Sequence, residues 1–191
     1  MDYLIIGVGN PGKKYESTRH NVAWMVIDQL SFSAKLIWKE KFKGVYTEYK
    51  NADDRWYILK PQTFMNLSGE SVRSLIDFFK IEMTNILVIH DELDLNYGVI
   101  AFKNGGGLAG HNGLKSITEH TGTQDYKRLR VGIGRPLSQD VSSYVLSPFS
   151  SVESYKLDEY LKLTASAVEQ MMVSGFDKVS NQYNKKQLIE V

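Results

Sequence analysis

Apolar positions recur along the chain with two different periods, and most elements can be read from the change between them. Tyr3 to Val8 is a short apolar run stopped by Gly9-Asn10-Pro11-Gly12, which predicts a buried strand ending in a turn. Val22, Met25, Val26 and Leu30 then recur at spacings of three and four, so a helix is expected, with Thr18 as its cap and His20 in or near its first turn. Phe42 to Tyr49 and Trp56 to Leu59 are rich in aromatic and β-branched residues and flank the turn-like Asn51-Ala52-Asp53-Asp54, which predicts a hairpin ended by Pro61. A helix over Ser68 to Phe79 follows from Val72, Leu75, Ile76 and Phe79, and Ile86 to Ile89 reads as another buried strand running into His90-Asp91. Strands at Val99–Phe102 and Leu129–Ile133, a helix from about His111 to Thr118 and a long one from about Val152 to Val173 complete the pattern.

This alternation is that of an α/β protein: a twisted mixed β-sheet flanked by helices. Its 191 residues, without internal repeat or linker, fit one globular domain spanning 1–191. With 42% hydrophobic and 24% charged residues, a fold is expected throughout. The polar clusters Asn10, Asn66 and Asp91 follow predicted strands or the Pro61 break, where open α/β sheets bind ligands.

Charge narrows the partner question. Lys and Arg number 23 against 22 Asp and Glu, so a nucleic acid would have to be held by a local basic patch. Cysteine is absent, which removes thiolate nucleophiles and Cys-ligated zinc. The apolar runs are too short for a membrane span or a signal segment, so a cytoplasmic protein is expected.

Gly7-Val8-Gly9-Asn10-Pro11-Gly12 spells G-x-G-x-x-G, and Glu40 offers a ribose-binding acid, so a dinucleotide-dependent oxidoreductase is one reading. Pro11 and Lys13-Lys14-Tyr15-Glu16 speak against it, because they delay the helix that would take the pyrophosphate. Other blocks are more informative. Thr18-Arg19-His20-Asn21, Lys60 to Gly69 (Lys-Pro-Gln-Thr-Phe-Met-Asn-Leu-Ser-Gly), His90-Asp91-Glu92-Leu93-Asp94-Leu95, and Gly105-Gly106-Gly107 with Gly110-His111-Asn112-Gly113-Leu114 follow in order. With Gly9-Asn10-Pro11-Gly12 and Tyr15, they resemble the bacterial-type peptidyl-tRNA hydrolases from Tyr3 to about Pro136. The chain departs from the family's usual spelling at Val8, Ala23, Asn96, Leu108 and Ala109, the last two in the glycine-rich loop where His and Gly are usual.

The chemistry of the residues agrees with that resemblance. A neutral histidine near its ordinary pKa takes a proton from water at cytosolic pH, so His20 is the candidate base, and Asp91 is placed to hold its other ring nitrogen. The family assigns Asp91 that role. Asparagine amides offer donors and an acceptor whatever the pH. The resemblance implies that Asn10 and Asn66 hold the peptide and terminal ribose, that Asn112 positions the water, and that Tyr15, Phe64, Met65 and His111 complete the substrate site. It also implies that Lys103 and Arg130 clamp the 5′-phosphate end of the acceptor stem, with the tRNA 3′ end over the base. His90, His111 and His120 form no i, i+4 pair, so neither a metal nor another cofactor is expected. The expected activity is hydrolysis of peptidyl-tRNA by a monomer. Its rivals besides the oxidoreductase are a serine esterase, for which the chain lacks a G-x-S-x-G elbow, and a non-catalytic RNA-binding module.

Overall fold

In the computed structural model, which describes residues 1–137 and 140–190, the chain alternates strands and helices as β1 (Asp2–Gly7), α1 (Val22–Asp28), β2 (Lys39–Lys41), β3 (Gly44–Asn51), β4 (Asp54–Pro61), α2 (Ser68–Phe79), β5 (Ile86–Glu92), β6 (Val99–Asn104), α3 (Asn112–Thr121), β7 (Lys127–Gly132), α4 (Val141–Val145), α5 (Ser151–Ser174), α6 (Phe176–Gln182) and β8 (Lys186–Gln187). Residues 138, 139 and 191, which the expected 1–191 domain includes, lie outside the description.

The eight strands form one mixed sheet in the order β2-β3-β4-β1-β5-β7-β6-β8. Its centre, β4, β1, β5 and β7, is parallel, and both edges are antiparallel additions. Every residue of β5 is buried, as a central strand covered on both faces requires, which explains its unbroken apolar run. Alternation sorts the side chains onto two cores. Ile5, Ile58, Leu87 and Ile89 pack on one side with Val26 of α1 and Tyr160 and Val168 of α5, while Leu4, Ile6, Leu59 and Val88 pack on the other with Val72 and Leu75 of α2 and Leu114 and Ile117 of α3.

Two differences from the sequence reading bear on the site. Thr18 does not cap α1: its hydroxyl donates to the Tyr15 carbonyl at 2.8 Å, and a 3-10 turn over Arg19–Asn21 precedes the helix. The turn directs His20 toward β5 instead of along the helix axis, as its bonds to Asp91 require. His111 is not a helix residue but the N-cap of α3, its ring Nδ1 accepting from the amides of Gly113 and Leu114 at 3.1 and 3.3 Å. The antiparallel hairpin is present but shifted, since Phe42 lies in the β2–β3 turn with φ 59° and the second turn is the two residues between Asn51 and Asp54.

Two contacts fix where the site residues emerge. Gly69 at the start of α2 lies so close to α3 that a Cβ there would overlap the Ser116 carbonyl oxygen, and its amide donates to Ser116 Oγ at 3.0 Å. That approach sets the starts of α2 and α3, and therefore Asn66 and Asn112, side by side. On the opposite side Arg19 is buried, pairs with Glu153 at 2.6 Å and donates to Ser147 Oγ at 2.7 Å, so the segment carrying His20 is clamped to the start of α5.

Candidate active site

The C-terminal ends of β1 and β5 open into a cavity of about 560 Å³ lined by Asn10, His20, Phe64, Met65, Asn66, Asp91, His111 and Asn112, among others. These residues come from five separate stretches of chain. The sheet brings them together because parallel neighbours end on the same side.

Asp91 is the hub. It is almost wholly buried, and its carboxylate accepts from His20 Nδ1 at 2.9 and 3.0 Å and from His111 Nε2 at 2.8 Å. Hydrogen bonding fixes both rings. Because Nδ1 of His111 accepts from two backbone amides, its proton sits on Nε2 and is given to Asp91. His20 gives its Nδ1 proton to the same carboxylate, which leaves Nε2 as a lone pair with no protein partner among the described residues. Burial disfavours the charged imidazole of His20, but the charge and hydrogen bond of Asp91 outweigh it, and the pKa is raised above the ordinary 6.5. For Asp91 burial alone would raise the pKa, and the two histidines instead hold it far below the usual carboxylate range.

The signs of the linked stability follow. The His20 contribution is fully present below pH 6.5 and is lost as pH rises through the raised folded-state value. That of Asp91 is present above its ordinary 3.8 and is lost as pH falls toward its depressed folded-state value.

Asn10 is equally constrained. Asn21 Oδ1 accepts from its backbone amide and Asn21 Nδ2 donates to its carbonyl, each at 2.9 Å, while Asn10 Oδ1 accepts from the Met65 amide at 2.7 Å. With the oxygen engaged, the Asn10 side-chain NH2 is the group left for a ligand. Asn66 and Asn112 are exposed on the cavity, their side chains making no hydrogen bond within the described residues. Phe64 is 55% exposed at the rim. Tyr15 does not line the cavity but stands edge-on to Phe64, ring centres 6.5 Å apart.

Lys103 and Arg130 lie outside the cavity, on one face of the adjacent strands β6 and β7. Lys103 is exposed, and Arg130 Nε donates to Glu92 at 2.8 Å. Between them Arg128, 2% exposed, gives its guanidinium protons to the carbonyls of Gly105 and Gly107 and so holds the glycine-rich loop down.

Three ligand-capable atoms of His20, Asp91 and His111 lie within 4.8 Å of one another. As bonded, this set is a poor cation site, because both nitrogens facing Asp91 carry protons and offer it no lone pair. The dinucleotide reading fails on packing: a Cβ at Gly7 would meet Ile27 and one at Gly9 would lie 2.6 Å from Trp24, whose indole donates to the Gly7 carbonyl. These glycines admit the side chains of α1 against the end of β1.

Several site residues carry no role in the sequence reading. Asn21 fixes Asn10 and sits within the quoted Thr18-Arg19-His20-Asn21 block, so its signal was in hand. Arg128 likewise sits within the basic run Lys127-Arg128-Leu129-Arg130, whereas the wall contributed by Val141, Val145 and Leu146 had no signal, since α4 is only five residues long.

Known proteins resemble the chain over nearly its whole length. A family model described as peptidyl-tRNA hydrolase matches residues 4–190. The peptidyl-tRNA hydrolase of Listeria innocua is 44% identical over 182 residues, covering 95% of this chain and 99% of that protein. That of Geotalea daltonii is 46% identical over 187 residues, covering 97% and 98%. The crystal structure of the Acinetobacter baumannii peptidyl-tRNA hydrolase superposes with a TM-score of 0.89 at 37% identity over 98% of this chain and 96% of that one. With a family model over residues 4–190, relatives at 44–46% identity and a closely superposing crystal structure in accord, the chain belongs to the peptidyl-tRNA hydrolase family.

Proposed function

We propose that the protein hydrolyses the ester between a peptide's terminal carboxyl and the 3′-terminal ribose of tRNA, with His20 as general base. The observation that carries this is the pairing of His20 Nδ1 with Asp91, which leaves Nε2 as an available lone pair on the cavity wall. Water attacks the ester carbonyl while His20 Nε2 takes its proton. Asp91 balances the imidazolium, and a side-chain NH2 such as that of Asn10 stabilises the oxyanion. The tetrahedral intermediate then collapses, the ribose oxygen leaves with the proton held by His20, and the products are a free peptide acid and tRNA. No covalent intermediate is involved.

In this reading Asn66 and Asn112 hold the 3′ end and the water, Phe64, Met65 and Tyr15 pack against the peptide and terminal nucleotide, and His111 positions Asp91. Lys103 and Arg130 take the 5′ phosphate of the acceptor stem, supported by their shared sheet face and by the guanidinium nitrogens of Arg130 beyond Nε, which have no protein partner among the described residues. The chain acts as one domain, as a monomer in the cytoplasm; no described helix is long and apolar enough to cross a membrane. The test is turnover of an N-acylated aminoacyl-tRNA with chelator present and no added cofactor. Release of free tRNA by the protein and its loss in His20→Ala are expected; binding without turnover would defeat the proposal.

A further inference from the structure

We infer that the apolar wall of the cavity selects peptidyl-tRNAs carrying an apolar side chain within the two peptide residues nearest the ester, with Leu108 as a specificity-determining residue. The inference rests on the esterase reading of the same site and adds a substrate class to it.

Three separate segments build the wall: Leu93 just after β5, Leu108 in the glycine-rich loop, and Val141, Val145 and Leu146 in and after α4. Leu93 and Val141 pack on one core of the molecule and Leu108 on the other, so the wall is where both cores reach the surface. It keeps apolar area to cover, since Leu146 is 40% exposed and Leu108 only half-buried. Leu108 is also held in place. Its carbonyl accepts from the His111 amide at 2.9 Å, and Arg128 anchors the loop just before it.

Charge on the lining points the same way. Asp91 accepts from two histidines, Glu92 is paired with Arg130 at 2.8 Å and Arg135 with Asp94 at 2.9 Å, so each charged group on the lining is already engaged. A charged peptide side chain entering this space loses water and meets only charged groups whose hydrogen-bonding positions are already engaged. An apolar one gains at about 25 cal/mol for each Å² of apolar surface it removes from water. The cavity, at about 560 Å³, has room for the end of a peptide and not for its length.

The experiment measures kcat/KM for N-acetyl-dipeptidyl-tRNAs carrying leucine, serine or aspartate at the last position or at the one before it. Apolar pockets discriminate by about 10- to 200-fold, and this half-open wall should favour leucine over aspartate by about 10-fold at one of the two positions. Leu108→Ser and Leu146→Ser should each reduce that advantage to about 3-fold or less, and Leu108→Met should keep it. If melting shows that Leu108→Ser does not fold, Leu146→Ser on the exposed end of the wall carries the test. Leucine and aspartate substrates equal within about 2-fold at both positions, or an advantage that survives the serine substitution, overturns the inference. His20→Ala on the same substrates separates the two ideas. Absent selectivity with normal His20 dependence defeats only the wall, whereas full rates in His20→Ala defeat the esterase mechanism.

Discussion

The cavity floor and the neighbouring β6–β7 strip are both polar, yet they are built on opposite terms. On the floor the central groups are tied at several points: Asp91 accepts from two histidines, His111 also caps α3, and Asn10 is held at its amide, carbonyl and side-chain oxygen. What remains open for a ligand is His20 Nε2, the Asn10 NH2 and the side-chain amides of Asn66 and Asn112. On the strip, Lys103 is exposed without an ion pair among the described residues, and Arg130 is engaged through Nε alone. The difference is what the proposed acid–base chemistry and phosphate binding would each demand. A base works through one oriented lone pair kept from competing partners, while a phosphate is attracted by hydrated charge that need not be oriented to within tenths of an ångström.

The largest effect is expected at His20. Its replacement by alanine should lower the single-turnover rate by roughly 10²–10⁴-fold while leaving substrate affinity near normal. A folded His20→Ala protein with near-native turnover would show that the open lone pair is not the working group. Next in size, Asp91→Asn should cost roughly 10²-fold in rate, because an amide can present the wrong group to Nδ1 and does not balance an imidazolium. Native rates in that variant would remove the hub from the mechanism.

His111→Ala sharpens the comparison by taking away one of the two donors to Asp91 and the cap of α3 together. The loss of the cap should destabilise the protein by about 1 kcal/mol, and the rate should fall by about 10-fold, less than for Asp91→Asn because His20 keeps its partner. Denaturant unfolding and single-turnover assays on one preparation read both effects. Equal rate losses for His111→Ala and Asp91→Asn would mean that His111 does more than hold the carboxylate.

The smallest effects belong to the strip. Lys103→Ala and Arg130→Ala should each make the log–log salt dependence of binding shallower by up to about one unit and spare the chemical step. A short substrate with only the terminal nucleotide and peptide should be hydrolysed almost normally by both variants. Equal losses on long and short substrates would move these residues from the strip to the floor.

How much of this was legible depended on the range of the interaction. The helix α2 was readable to its ends because Val72, Leu75 and Ile76 face one core at helical spacing. The strands β1 and β5 were readable as continuous apolar runs because both faces are covered. The elements β2 and β8, of three and two residues, are polar sheet edges with no buried face, and so left no pattern. In α6 only Phe176 and Val179 are buried, too few to set a period. In the site, Asn10, Asn66 and Asp91 were visible after predicted strands or the Pro61 break, and His20 and Asn112 within the blocks Thr18-Arg19-His20-Asn21 and Gly110-His111-Asn112-Gly113-Leu114. The ties that orient them were not, because each is a single bond between distant segments: Asn10 with Asn21, His111 with Asp91, Arg128 with the glycine-rich loop. Such bonds leave no periodicity and follow only from the sheet order.

If Asp91 tunes His20 as well as holding it, the pH dependence of single-turnover hydrolysis registers the tuning. Only neutral His20 accepts a proton, so the rate should rise with pH through an apparent pKa above the ordinary 6.5, and Asp91→Asn should move that limb to lower pH, since burial then acts without the opposing carboxylate. A flat profile from about pH 5 to 9, or a limb that stays in place when Asp91 is replaced, would contradict it.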